Sequence, residues 1–134
     1  MERFSTTNNS YFSSFYKNYY CDVLDKLGVY YIPENSSHID AFSIIGNCIF
    51  CDISLIDKYK LSEMECYSCI AHEVGHFISP PRDVLCDPTE REIYADRYVA
   101  DLGLANHLIS ALTKMCPDDE LTKLRIEKMS IASS

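Results

Sequence analysis

The sequence predicts a single α+β domain over residues 1–134. A small mixed or antiparallel sheet is expected to pack on an N-terminal helix and on a second helix, followed by a helical C-terminal part. Three observations predict this class. Apolar residues recur at helical spacing through Tyr11–Leu27 and again after Ser62. The β-rich runs Ala41–Ile45 and Cys48–Ile53 are separated only by Gly46-Asn47, a two-residue hairpin signal. The order of elements is therefore helix, small sheet, then helices.

Each element has its own warrant. Residues 1–10 are polar and expected to be frayed. In residues 11–27, Tyr11, Phe12, Phe15, Tyr16, Tyr19, Tyr20, Val23, Leu24 and Leu27 form an apolar stripe, and Gly28 stops that helix. Val29-Tyr30-Tyr31-Ile32 reads as a short strand ended by Pro33, and Asn35-Ser36-Ser37 as loop. Ser62-Glu63-Met64-Glu65 is a capping box that opens a helix over 62–79, which Pro80-Pro81 ends. Asp87-Pro88-Thr89-Glu90 opens the next, with Asp at the cap and Pro at the first helical position; it runs to about Leu102, where Gly103 breaks it. Leu104–Met115 and Asp118–Met129 read as two further helices.

Composition excludes several classes. Twelve Lys and Arg stand against twenty Asp and Glu, a formal net charge of −8. Nucleic acid and anionic membrane both reward a basic surface, so neither is the expected partner. Met1-Glu2-Arg3 leads into Ser, Thr and Asn rather than an apolar leader, and the longest apolar-rich stretch, Ala41–Cys51, is too short to span a bilayer. The expectation is a cytoplasmic chain without membrane insertion. Seven cysteines, an odd count, fit reduced thiols there.

The chemistry concentrates in His72-Glu73-Val74-Gly75-His76, a His-Glu-x-x-His pattern inside the 62–79 helix. Residues four apart share a helix face, so both imidazoles can address one ion. Glu73 lies about 100° further round, where it can reach a water without ligating. The plain alternative, two surface or core histidines, leaves polar groups to bury on a helix rich in Cys69, Ile70, Ala71, Val74, Phe77 and Ile78. A catalytic zinc takes three protein ligands and keeps one open position. In the next helix Glu92, Ala95, Asp96 and Val99 share a face that should pack inward, where two carboxylates need a positive partner. Zn²⁺, one per chain, held by His72, His76 and Glu92, meets that need. Asp96 would then orient a ligating histidine. Glu90 is the rival third ligand, and a capping role answering Thr89 is the plain alternative for Glu92.

His72-Glu73-Val74-Gly75-His76 followed by Glu92-Ile93-Tyr94-Ala95-Asp96 resembles the gluzincin zinc peptidases. Asp40-Ala41-Phe42, Asn47-Cys48-Ile49-Phe50, Leu61–Ile70, Ala95-Asp96-Arg97-Tyr98, Leu108–Met115, Pro117, Arg125-Ile126 and Met129 extend the likeness to the HtpX and CAAX-endopeptidase type over about residues 39–129. Those relatives are usually membrane-embedded, so the chain looks closer to the soluble minigluzincins. A second resemblance is to the ImmA/IrrE-type regulatory peptidases that cleave repressors. The resemblance implies a zincin-like fold and a zinc-dependent endopeptidase. His72, His76 and Glu92 would bind the metal, Glu73 would be the general base, and Asp96 would stand behind the ligands. It also implies that the strand Cys48–Ile53 is a sheet edge that binds peptide or protein substrate in extended form. Cys116 stands where the membrane family often has His. Arg125 is retained, a candidate for substrate or oxyanion contact alongside His107, Tyr94 and Tyr98; a solvated helix position is the plain alternative for Arg125.

Two other classes compete. Cys48-x-x-Cys51 and Cys66-x-x-Cys69, fourteen residues apart, have zinc-ribbon spacing and would make a non-catalytic zinc-binding module, although Cys66 and Cys69 fit core positions equally well. Alternatively the polar tail Asp118–Ser134 covers the cleft of a latent enzyme.

Overall fold

A computed structural model of the protein describes residues 2–3, 28–32, 41–46, 48–81, 84–85 and 87–133. The expected helix 11–27 and the loop at 35–37 lie outside the described residues. The class is α+β. Strands β1 (Glu2–Arg3), β2 (Gly28–Ile32), β3 (Phe42–Ile45) and β4 (Cys48–Asp52) precede helices α1 (Ile53–Tyr59), α2 (Glu63–Ile78), α3 (Pro88–Asp101), α4 (Ala105–Met115) and α5 (Glu120–Ser133).

The four strands form one mixed sheet in the order β1-β2-β4-β3. The hairpin forms as expected. Ile45 pairs with Cys48 across the two-residue loop, and Gly46 sits at φ +62, a conformation other residues adopt at a cost. Three local expectations are corrected. Glu2–Arg3 is not frayed but pairs antiparallel with Tyr31 and Tyr30, because the bare edge of β2 offers hydrogen bonds. The strand beginning at Cys48 ends at Asp52, and Ile53 opens a helix absent from the sequence reading. The Asp52 side chain caps that helix, with Oδ1 accepting from Leu55 N at 3.2 Å and Ser54 Oγ at 2.6 Å. The expected helix 118–129 instead spans Glu120–Ser133, with Asp119 accepting from Thr122 N at 2.9 Å.

α2 begins with the expected capping box: Ser62 Oγ accepts from Glu65 N at 3.1 Å, and Glu65 Oε1 accepts from Ser62 N at 2.8 Å. Asp87 accepts from Thr89 N at 2.9 Å with Pro88 at the first helical position of α3. α2 is the central helix. It packs against β3, α3 and α4, while α5 closes on α3 and α4. Ile49, Cys51, Tyr67, Ile70, Val74, Val99, Leu104 and Leu108 fill the core between sheet and helices. Burying such side chains contributes roughly 1.5–3 kcal/mol each before the cost of chain ordering. Among the described residues no helix is long and apolar enough to cross a membrane.

Candidate metal centre

Two helices build the site. His72 and His76 lie one turn apart on α2, their rings 4.6 Å apart and nearly perpendicular. Glu92, in the second turn of α3, reaches across so that Oε2 lies 3.0 Å from His72 Nε2 and Oε1 lies 3.2 Å from His76 Nε2. One ligand atom from each of the three lies within 4.8 Å of the others, and among the described residues this is the one such group of His, Cys, Asp or Glu. The donors, two imidazoles and a carboxylate, suit a borderline dication such as zinc. Glu90 does not join the group.

The approach of the two helices has a local cause. A β-carbon on Gly75 would lie 2.8 Å from Ala95 Cα and 3.0 Å from its carbonyl oxygen. Only a glycine between the two histidines lets the α3 backbone come this close. Ala95, between Glu92 and Asp96, is the small residue that meets it.

Behind the donors is a second tier. Asp96 Oδ1 lies 2.9 Å from His72 Nδ1, which turns Nε2 toward Glu92. Arg125 from α5 grips Asp96 with two parallel bonds, Nε to Oδ2 and Nη2 to Oδ1, both 2.8 Å. Its Nη1 lies 3.6 Å from Glu92 Oε2. Arg125 is only 9% exposed, so it is not a solvated helix residue; its donors face Asp96, Glu92 and His72, and it also lines the cleft described below.

These contacts set the charges. Burial disfavours the His72 imidazolium, but its bonds to Asp96 and Glu92 outweigh that and raise its pKa to about 9. Burial also opposes ionisation of Glu92 and Asp96. The histidines hold the Glu92 carboxyl well below the usual range, and Arg125 with His72 does the same for Asp96. These contacts favour a proton on His72 and ionised carboxylates on Glu92 and Asp96.

A cleft of about 990 Å³ opens over the group. Its walls include Phe42, Ser43 and Ile44 of β3, His72, Glu73 and His76 of α2, Arg91 and Glu92 of α3, Leu112 and Met115 of α4, and Thr122 and Arg125 of α5. Glu73 is 9% exposed and lines the cleft beside both histidines. His107, Tyr94 and Tyr98 are not among its lining residues. One expectation is corrected. β4 is not a sheet edge, since β2 and β3 flank it; β3 is the outer strand and the one beside the cleft. The parallel pairing of β2 with β4 joins distant segments, which no local pattern encodes. The C-terminal helix α5 lines the cleft through Leu121, Thr122 and Arg125.

The cysteine quartet does not gather as a metal group. Cys51, Cys66 and Cys69 are buried in the core, and burial pushes their thiols up, that of Cys66 to about 12. Burial thus favours their neutral thiol form. Sequence reasoning missed Arg91. It lines the cleft and donates to Pro80 O and Leu85 O, both at 3.1 Å, and to Ser79 Oγ at 3.3 Å. No local signal marks it, because its partners lie in an irregular segment.

No family model, curated protein or solved structure matches the chain.

Proposed function

We propose that this protein is a zinc-dependent endopeptidase, with His72, His76 and Glu92 as metal ligands and Glu73 as general base. The observation that carries the reading is the convergence of three ligand atoms within 4.8 Å at the floor of a cleft that Glu73 also lines. The gluzincin-like pattern of the same motifs agrees with it. The donor set fits zinc: two neutral imidazoles and one carboxylate leave a dication with a net single positive charge, suited to a developing oxyanion.

Bound zinc supplies an acidified water and a Lewis acid for the scissile carbonyl. The chain's own groups do the rest. Glu73 accepts the proton of the attacking water and returns it to the leaving amine. Asp96, steadied by Arg125, holds His72 in the tautomer that presents Nε2. β3, the outer strand beside the cleft, offers backbone groups to which an extended peptide can add as a further strand; such pairing reads main chain more than side chains.

The test is metal analysis together with cleavage of casein. The expected result is one zinc per chain and hydrolysis that a chelator stops, with Glu73→Gln keeping the zinc and losing hydrolysis. Full activity in Glu73→Gln overturns the mechanism. Zinc retained with no hydrolysis by the wild type overturns the enzyme reading in favour of a metal-binding module.

A further inference from the structure

Arg91 stands next to Glu92 in sequence and lines the same cleft. It is half-buried, and among the described residues it has no carboxylate partner: its contacts are two carbonyl oxygens and one hydroxyl. A guanidinium carries five N–H donors. Among the described residues its bonds run from Nη1 to Pro80 O and Leu85 O and from Nη2 to Ser79 Oγ, and none of them uses Nε. The guanidinium edge that carries Nε–H beside an Nη2–H is one that receives a carboxylate with two parallel bonds. The three existing bonds hold the side chain in place, so little freedom remains to be lost when an anion docks. In contrast Arg125, the other arginine of the cleft among the described residues, already has its carboxylate in Asp96.

We propose that Arg91 is a specificity-determining residue that binds a carboxylate of the substrate, either an Asp or Glu side chain near the scissile bond or the terminal carboxylate of a short peptide. The inference rests on the peptidase reading and adds to it a substrate class: peptides with a negative charge at one defined position. In a chain of net charge −8, a cation fixed in the cleft is a feature that can favour a negatively charged group at one position.

The experiment uses quenched fluorescent peptides of one host sequence, with Glu or Gln scanned through each position and the C terminus as free acid or amide. Zinc-loaded wild type is expected to favour Glu over Gln at one position, or acid over amide, by about tenfold or more in kcat/KM; which arm responds identifies the source of the carboxylate. In Arg91→Gln that ratio falls to near one. A wild-type ratio near one at every position and for both termini overturns the proposal. So does a variant that loses all peptides by one common factor with the ratio kept, because that outcome assigns Arg91 only to holding the Ser79–Leu85 segment. The same peptides bound to zinc-loaded Glu73→Gln, followed by fluorescence anisotropy, read the subsite without turnover. A Kd difference between charged and neutral peptides that Arg91→Gln removes supports the proposal even where nothing is cleaved, and equal or undetectable binding overturns it. Absence of turnover in the wild type counts against the peptidase reading alone.

Discussion

Gly75 and Ala95 meet backbone to backbone: a β-carbon on Gly75 would fall 2.8 Å from Ala95 Cα and 3.1 Å from its Cβ. This contact sets the distance between the helix that carries both histidines and the helix that carries Glu92 and Asp96. Gly75→Ala must therefore push α3 away from α2 and draw Glu92 out of reach of His72 and His76. The expected outcome is a loss of about 1–3 kcal/mol of stability, as for other overpacked cores. Zinc affinity should fall at least tenfold at a temperature where the variant is still folded. Thermal melts and zinc titration check the two effects separately.

Asp96 and Arg125 form a buried, doubly hydrogen-bonded pair. Removing the cation leaves the buried Asp96 carboxylate with His72 alone as its partner, so Arg125→Met should cost about 3 kcal/mol by denaturant unfolding, the lower end for a broken buried pair. Asp96→Asn keeps the shape but loses the charge that orients His72. It should weaken zinc binding about 10–100-fold, the usual effect of losing a partner behind a ligand.

Stability of the zinc-free protein should fall on the alkaline side. His72 titrates near 9 when folded against an ordinary 6.5, a raised value. Its contribution is thus fully present below about pH 6.5 and is lost as pH rises toward 9, a loss on the order of 2–3 kcal/mol. Chelator-treated protein should show this slope in unfolding experiments from pH 6.5 to 9, and His72→Ala should abolish it. Over the same window zinc affinity should rise with pH, because binding expels the His72 proton. Calorimetry in buffers of different ionisation enthalpy should count about one proton released.

Glu65 ties α2 to α4 as well as capping its own helix. Its side chain accepts from Lys114 Nζ at 2.6 Å and Ser110 Oγ at 2.9 Å. Burial opposes its ionisation, but Lys114, Ser62 and Ser110 outweigh that and lower its pKa from 4.5 to about 2. A depressed carboxyl stabilises the fold above the unfolded value and loses that effect as pH falls from about 4.5 toward 2. Because Lys114 is partly exposed, the contribution is about 1–2 kcal/mol rather than the full shift. Glu65→Gln should therefore unfold more readily at neutral pH, and the gap to wild type should close near pH 2.

Truncation after Cys116 should not release a latent activity. It removes Arg125 together with Thr122 and Met129, all buried. The expected outcome is lost solubility or lost zinc, and a gain in caseinolysis would contradict the role of α5 as a wall of the site.

What the sequence by itself determined is what one element can encode. The capping box placed the start of α2 and the Asp87-Pro88 cap that of α3, Gly46 placed the hairpin, and helical spacing put His72 with His76 on one face and Glu92 with Asp96 on another. Those signals are local: they depend on side chains and backbone groups within one turn of each other. The short helix from Ile53 was less legible, because its cap is the last residue of a strand whose alternation runs smoothly into it. Tertiary structure alone decided the rest. It chose Glu92 over Glu90, brought Arg125 to Asp96 from twenty-nine residues away, and left His107 off the cleft. It also inserted β4 between β2 and β3, so that β3 rather than β4 became the outer strand. Each of these depends on which backbones approach in space, and that distance follows from the packing of whole faces, as where Gly75 admits Ala95, not from the pattern along any one of them.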